Sequence, residues 1–368
     1  MLVAIVGIVA LVPYLVLQFK GLGIIVQIAS YGAVPPKVAI WIGAAVVTLY
    51  VMVSGVHGSA WTSVLKDSAI LAVVLFLGVY LPLHYYGGFG KMFTAIQAVK
   101  PNFLALPAKG QSIAWFDSTV LLTALGFFMW PHSFGSIYTA RHERVFRQNA
   151  IVLPLYQLIL LFVFFVGFAA ILQVPGLTDG RIDLSLFYLS RKTFAPWVVG
   201  VIGGAGVLTA LVPGSMIMMT TATLVANNVY RPLRHSVKEA HLALIAKLLV
   251  PVVALVSVYF TLQGGNTIVS LLLMGYSFVT QLFPSLVMSL RRDNPVTKEA
   301  AFAGILAGVV MVAVLTSTDA TLGGIFPSAP QAFKDLNIGI VALGLNAIVT
   351  AVVTVIPRRR AVVGQAKV

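Results

Sequence analysis

The chain contains no cysteine. That excludes a disulfide framework, a thiolate metal site and a thiol nucleophile. Charge is scarce too: Asp, Glu, Lys and Arg make up 9% of the residues, against about 25% in a typical soluble domain. Only 10 of the 368 residues are acidic, and they form no cluster inside an apolar run. Neither HExxH nor GxSxG occurs, so a membrane-embedded enzyme is the weakest functional reading. The short alternating segments of a membrane β-barrel are missing. The opening MLVAIVGIVALV lacks the basic leader of a signal peptide and its apolar run is too long for one.

What is present is hydrophobic residue in long runs, 59% of the chain. Runs of 18 residues or more span a bilayer as helices, so the fold class is an all-α polytopic membrane protein. Ten spans are predicted, roughly 2–30, 37–55, 59–86, 116–140, 149–173, 195–227, 240–263, 267–290, 299–317 and 338–357. Residues 87–115 are predicted to include an interfacial amphipathic helix around Phe89–Val99, and 174–194 hold the turn-rich PGLTDGR. The net charge of +14 could suit nucleic acid, but its distribution argues for the lipid bilayer as partner. Arg141, Arg144 and Arg147, then Arg231, Arg234 and Lys238, then Arg291, Arg292 and Lys298, then Arg358, Arg359 and Arg360 fall on every second loop. By the positive-inside rule those loops are cytoplasmic. Alternate loops such as LQGGNT at 262–267 are poor in positive charge. This places both Met1 and the C-terminus on the cytoplasmic side of a plasma (prokaryotic cytoplasmic) membrane. The first helix starts with almost no polar leader, so a preceding native segment is expected.

Two spans carry breakers near mid-depth. The fourth, FDSTVLLTALGFFMWPHSFGSIYTAR, holds Trp130-Pro131-His132 and Gly135. Proline removes a backbone donor and clashes with the preceding turn. In lipid the freed carbonyls are tolerated only against protein or a cavity. A discontinuous helix at a binding site is one reading; a simple kink beside a hydrogen-bonded histidine is the other. The sixth span, LTALVPGSMIMMTTATLVANNVY, has Pro213-Gly214 near its centre, then Ser215, Thr220, Thr221 and Thr223. Such hydroxyls also serve ordinary helix packing. In the seventh span, Lys247 sits in the cytoplasmic half and can snorkel to that surface.

Four stretches carry a family resemblance. VPYLVLQFKGLG at 12–23, SGVHGSAWTSVLKD at 54–67 and TALVPGSMIMMTTATLVANNVYRPL at 209–233 resemble the third, fifth and eighth core helices of the sodium:solute symporter family. FMWPHSFGSIYTAR at 128–141 is similar to its broken sixth core helix. The wording looks most like the monocarboxylate-permease branch. The resemblance covers nearly the whole chain and implies a LeuT-type fold of two inverted five-helix repeats. On it, 1–368 form one transporter domain: 1–86 the rest of the first repeat, with a turn near 54–58, 116–291 the second repeat, and 299–357 two additional helices. The first two core helices have no counterpart, so a late or truncated start is expected, or a partner subunit that supplies them. A truncated, non-transporting fragment or membrane sensor is the alternative of another class.

The resemblance also bears on coupling. Sodium-coupled members present paired hydroxyls on core helix eight, where this chain has Val212 and Pro213. The aspartate of the helix-five Trp-Thr-Asp is Ser63, and Lys66 follows about one turn on. Counted from Gly58, Lys66 lies about 12 Å into its helix, where a lysine costs on the order of 3 kcal/mol on insertion scales. In one reading its ammonium stands where sodium would sit and carries the coupling proton. In the other it snorkels to cytoplasmic water, with Asp67 capping or pairing locally. The function expected is secondary symport of a small organic anion, a short monocarboxylate of the pyruvate, lactate or acetate type, or else sodium-coupled symport of an amino acid or vitamin. No cofactor is expected, only a proton or sodium gradient. Candidate solute-binding residues are Trp130, His132, Ser133, Ser215, Thr221, Tyr276 and Gln281, with Ser277 beside them. Lys66, Asp67 and Ser63 are the coupling candidates, and Pro131, Gly135, Pro213 and Gly214 the expected helix breaks.

Overall fold

The structure, a computed structural model, describes residues 1–356 except 139, 178, 235, 236 and 266, and leaves out the side chains of 54–60 and 179–181. Arg358, Arg359 and Arg360 therefore lie outside the described residues, as does part of the resemblance carried by 54–60. Among the described residues 82% are helical and none is in a strand. Nine helical stretches are long and apolar enough to cross a membrane, and a tenth is made of two helices bent by 49°. The ten stretches coincide with those expected from hydropathy.

The chain opens with α1 (Leu2–Ala29), α2 (Pro36–Tyr86) and the short α3 (Phe89–Val99). The bent pair is α4 (Ile113–Gly126) and α5 (Pro131–Ile137); α6 (Glu143–Gln157) and α7 (Leu160–Gln173) make the next crossing, followed by the short α8 (Ser185–Thr193). Then come α9 (Pro196–Leu224), a π-helical stretch at Val225–Tyr230, the single turn α10 (Arg231–Leu233) and α11 (Glu239–Gln263). Next, α12 (Ile268–Val279) passes through a 3₁₀ turn into α13 (Phe283–Ser289). The last crossings are α14 (Lys298–Ser317) and α17 (Ile338–Val355), separated by the short α15 (Leu322–Ile325) and α16 (Gln331–Lys334).

The core has two parts. In the larger, α1 packs on α2, α9, α11 and α12, burying Leu11, Leu15, Phe19, Ile217 and Met218. In the smaller, the second half of α2 meets α3 and α7 through Leu77, Leu81, Met92, Ile96 and Ala169. Met92 and Ile96 lie one turn apart, so α3 turns one apolar face inward, as its sequence predicts.

The turn expected near 54–58 falls on residues 54–60, outside the described residues; on either side of them α2 supplies two membrane-length stretches, Pro36–Val53 and Trp61–Tyr86. Two expectations are corrected. The helix runs without a break through Pro213 and Gly214, inside α9. One proline removes one hydrogen bond, and close packing of Gly214 on Leu15 and Gln18 of α1 accompanies the intact helix. The irregularity of this span falls further on, in the π-helical Val225–Tyr230. Gly135 likewise lies within α5 and not at a break.

The loop 174–194 is tied to the bundle by an ion pair. Lys20 Nζ of α1 lies 2.9 Å from Asp183 Oδ2, with 20% and 11% of the two side chains exposed. Asp183 Oδ2 also accepts the backbone N–H of Ile268 at 3.2 Å, holding the start of α12. Removing one partner of a shielded pair strands the other charge. Asp183→Asn is therefore expected to lower thermal stability in detergent by about 2 kcal/mol, below the full cost of a wholly buried pair. The double variant Lys20→Met/Asp183→Asn is expected to melt closer to the parent than Asp183→Asn does; equal melting of parent and single variant would refute the role.

Candidate functional site

The break expected in the fourth span is present, at Trp130–Pro131. After α4 a 3₁₀ turn, Phe127–Met129, leads to Trp130 in an extended conformation (φ −63°, ψ 124°), and α5 begins at Pro131. The ring of Pro131 disfavours helical backbone at the residue before it. Proline itself suits the first helical position, where its missing N–H is not needed. The Trp130 carbonyl accepts from Phe134 N at 2.8 Å, which closes the first turn of α5.

This break carries Trp130 and His132 into the bundle, where they meet two tyrosines. Ring centroids of Tyr14 and Trp130 are 4.9 Å apart, of Tyr14 and His132 5.4 Å, and of Trp130 and His132 5.8 Å. Tyr276 meets Trp130 edge-on at 5.2 Å and 83°. Trp130 is 2% exposed. It reaches this depth because α12 has Gly275 there: a Cβ at that position would fall 2.5 Å from the indole and 3.0 Å from the Ala10 carbonyl. Tyr14 lies midway along α1, and Tyr276 midway along the crossing Ile268–Ser289. The box therefore stands near mid-depth. Within it, Nδ1 of His132 is shielded from solvent and has no hydrogen-bond partner among the described residues. A buried polar atom without a partner costs about 1–3 kcal/mol.

Two cavities flank α5. One, of about 490 Å³, is lined by Phe128, Ser133, Ser136, Arg141 and Asn149 among others. The other, of about 430 Å³, is lined by Pro131, Phe134, Gly135, Asn228 and Ser285 among others. Ser133 thus lines the first of these cavities.

The remaining candidates are placed elsewhere. Ser215 and Thr221 are buried in α9, where their hydroxyls donate to the carbonyls of Val212 and Ile217. Such back-bonding to the preceding turn satisfies a hydroxyl within its own helix. Ser277 does the same with Leu273. Gln281 is fully buried among α12, α14 and α17, with its amide bonded to Ser277 and Gly339 carbonyls. Lys247 is exposed on α11.

Lys66 and Asp67 pair with each other. Nζ and Oδ1 are 2.9 Å apart, although adjacent residues on a helix diverge; the long lysine chain curls back to close the gap. Asp67 Oδ1 also accepts from the Tyr156 hydroxyl of α6 at 3.1 Å. Ser63, on the same turn, is also engaged. Gly58, from which the depth of Lys66 is counted, lies outside the described residues. Val212 and Gly214 lie on α9, where Gly214 faces Leu15 and Gln18 of α1; Lys66 and Asp67 face α6. Among the described residues the two groups have different neighbours.

Sequence reasoning missed Tyr14. Its signal was a tyrosine directly after Pro13 inside an apolar span, within the stretch VPYLVLQFKGLG.

An all-helical bundle with membrane-length apolar helices, one of them broken at mid-depth over an aromatic-lined polar atom, defines an integral membrane transporter. The chain belongs to the sodium:solute symporter family, which it matches over residues 1–328. It is 63% identical over 358 residues to the "Uncharacterized symporter YhjB" of Bacillus subtilis (strain 168), covering 97% of this chain and 73% of that protein. It is 34% identical to the "Uncharacterized symporter YodF" of the same organism, covering 88% of this chain and 65% of the relative. It is 28% identical to the "Monocarboxylate transport permease protein" of Rhizobium johnstonii, covering 78% and 58% respectively. The protein is a transporter of the symporter class and not an enzyme, and its substrate class is a small-molecule solute.

The geometry at Gly275 generates a prediction. Gly275→Val is expected to push the Trp130 indole out of its slot while the protein still inserts into the membrane. The change in tryptophan emission caused by Trp130→Phe, compared in the parent and Gly275→Val backgrounds, measures it; the same change in both would contradict the packing.

Proposed function

We propose that this protein carries short monocarboxylates, of the pyruvate, lactate or acetate type, across the plasma membrane. The observation that carries the reading is the shielded, unpartnered Nδ1 of His132 inside the Tyr14–Trp130–Tyr276 box. An imidazole N–H can donate to a carboxylate, and charge-assisted hydrogen bonds are about twice as strong as neutral ones. Aromatic walls suit a small organic group and leave little room for a long one. The named function of the Rhizobium relative supports the same solute class. The LeuT-type inverted-repeat arrangement, with 299–357 as additional helices, belongs to this proposal, as do cytoplasmic positions for Met1 and the C-terminus. The chain matches only part of its relatives' length, so the whole transporter is the species to test, with any further helices or partner subunit it has.

For coupling we favour a proton. Val212 and Pro213 offer no side-chain hydroxyl, and a sodium ion leaving water needs several oxygen ligands. Lys66, paired with Asp67, which also accepts from the Tyr156 hydroxyl, is the candidate coupling group on this crossing. Sodium coupling is the second reading, favoured by the family to which the chain belongs.

The test is uptake of radiolabelled pyruvate, lactate and acetate by proteoliposomes containing the whole protein. Uptake driven by a pH gradient without sodium is expected, and strict sodium dependence would overturn proton coupling. His132→Ala is expected to raise the KM about tenfold or more, the size of a hydrogen bond to a charged group. An unchanged KM would remove His132 from the site. Lys66→Met is expected to cut gradient-driven uptake about tenfold while leaving exchange of solute for solute in place, as loss of one coupling group in the membrane would.

A further inference from the structure

The helix that carries Tyr276 is irregular one turn further on. There α12 gives way to a 3₁₀ turn, Thr280–Leu282, and α13 follows with Pro284. Proline has no N–H to offer the carbonyl four residues before it, and in lipid no water replaces it. Neighbouring helices converge on this point. Asn346 of α17 donates from Nδ2 to the Gln281 backbone carbonyl at 2.7 Å and lies 3.4 Å from its Oε1. The Gln281 side chain donates from Nε2 to Ser277 O at 3.0 Å and to Gly339 O, at the start of α17, at 3.1 Å. Thr350, one turn beyond Asn346, donates to Asn346 Oδ1 at 3.3 Å. Thr280 donates to the Leu122 carbonyl of α4 at 3.3 Å. Gln281 and Asn346 are both 0% exposed. From the other side α14 approaches with Gly308, where any Cβ would collide with Gln281 Oε1.

We propose that Asn346 is a positioning residue for the solute site. Through Gln281 it fixes the irregular turn of α12, and so the angle at which Tyr276 meets Trp130 beside His132. The C-terminal pair α14–α17 then works as part of the solute site and not as accessory scaffold. The inference rests on the aromatic box being that site. Asn346 suits a fixed strut, because both ends of its amide are hydrogen-bonded, to Gln281 and to Thr350.

Two variants from different helices test the strut. Asn346→Leu removes the donor, and Gly308→Ala displaces Gln281 from the α14 side. Each is expected to raise the KM for [14C]pyruvate about fivefold, the scale of one strong interhelical hydrogen bond in a membrane, with Vmax per folded protein changed less than about twofold. Each is expected to add nothing further in a Tyr276→Ala background, as coupled neighbours do. Val312→Ala, a buried packing variant of α14, is expected to lower the folded amount without moving the KM. Changes in Vmax alone, or effects additive with Tyr276→Ala, would overturn the proposal.

A second readout needs no transported solute. The chain is free of cysteine, so His132→Cys supplies a unique thiol. Its labelling by a methanethiosulfonate reagent is expected to change about threefold or more when Asn346→Leu or Gly308→Ala is added, the scale of a typical interhelical bond. An unchanged rate in both backgrounds overturns the strut. A changed rate in a protein that transports no monocarboxylate sustains the strut and overturns the solute assignment alone.

Discussion

A peptide group in the middle of a bilayer has no water to bond with, and each one left bare costs several kcal/mol. Pro131 forces that constraint into the open. It holds Trp130 out of helical geometry, so the fourth crossing turns by 49° where protein or a cavity must satisfy the freed carbonyls. The aromatic box follows from this. Trp130, released from the helix, packs on Tyr14 and into the slot left by Gly275, and His132 stands at the second position of α5 with its ring against Tyr14.

The same constraint governs the hydroxyls. Ser215, Thr221, Ser277 and Thr261 are buried, and each donates to a carbonyl of its own preceding turn. This explains why a proline and several polar residues leave α9 intact. Its polar groups are satisfied locally, and α1 lies close along it. Pro213 and Pro131 differ mainly in what precedes them. The 3₁₀ turn before Trp130 has already departed from α-geometry, while Leu211 and Val212 continue it.

Much of this was legible in the sequence because hydropathy and proline act locally. The ten membrane-length stretches, the helix Phe89–Val99 and the break at Trp130–Pro131 all follow from such signals. Trp130, His132 and Tyr276 could be named together because each is a polar or aromatic group at mid-span. Tyr14 escaped because a tyrosine after a proline in an apolar helix does not by itself mark a site, and only the fold sets it beside His132. Local pairing of Lys66 with Asp67 was one of the two sequence readings; the bond from Tyr156 was hidden, because that partner on α6 is 89 residues away in sequence.

Buried polar side chains of this molecule are of two kinds, and the contrast separates scaffold from the proposed site. Gln281 and Asn346 are as deeply buried as any residue in the bundle, yet their amides are answered by carbonyls on α12 and α17. A group so bonded has nothing left to offer a solute and every reason to stay where it is. His132 Nδ1 is shielded yet unanswered, although Tyr14 and Trp130 lie against its ring. An unfilled bond at the end of a broken helix is a standing cost to the empty protein, and a ligand that supplies the missing partner recovers it. In a transporter the solute must be bound firmly enough to be selected and loosely enough to leave. On the proposed function, the unsatisfied nitrogen of His132, held by aromatic neighbours and set beside the saturated polar network that follows Tyr276, gives an adjustable contact against a fixed frame.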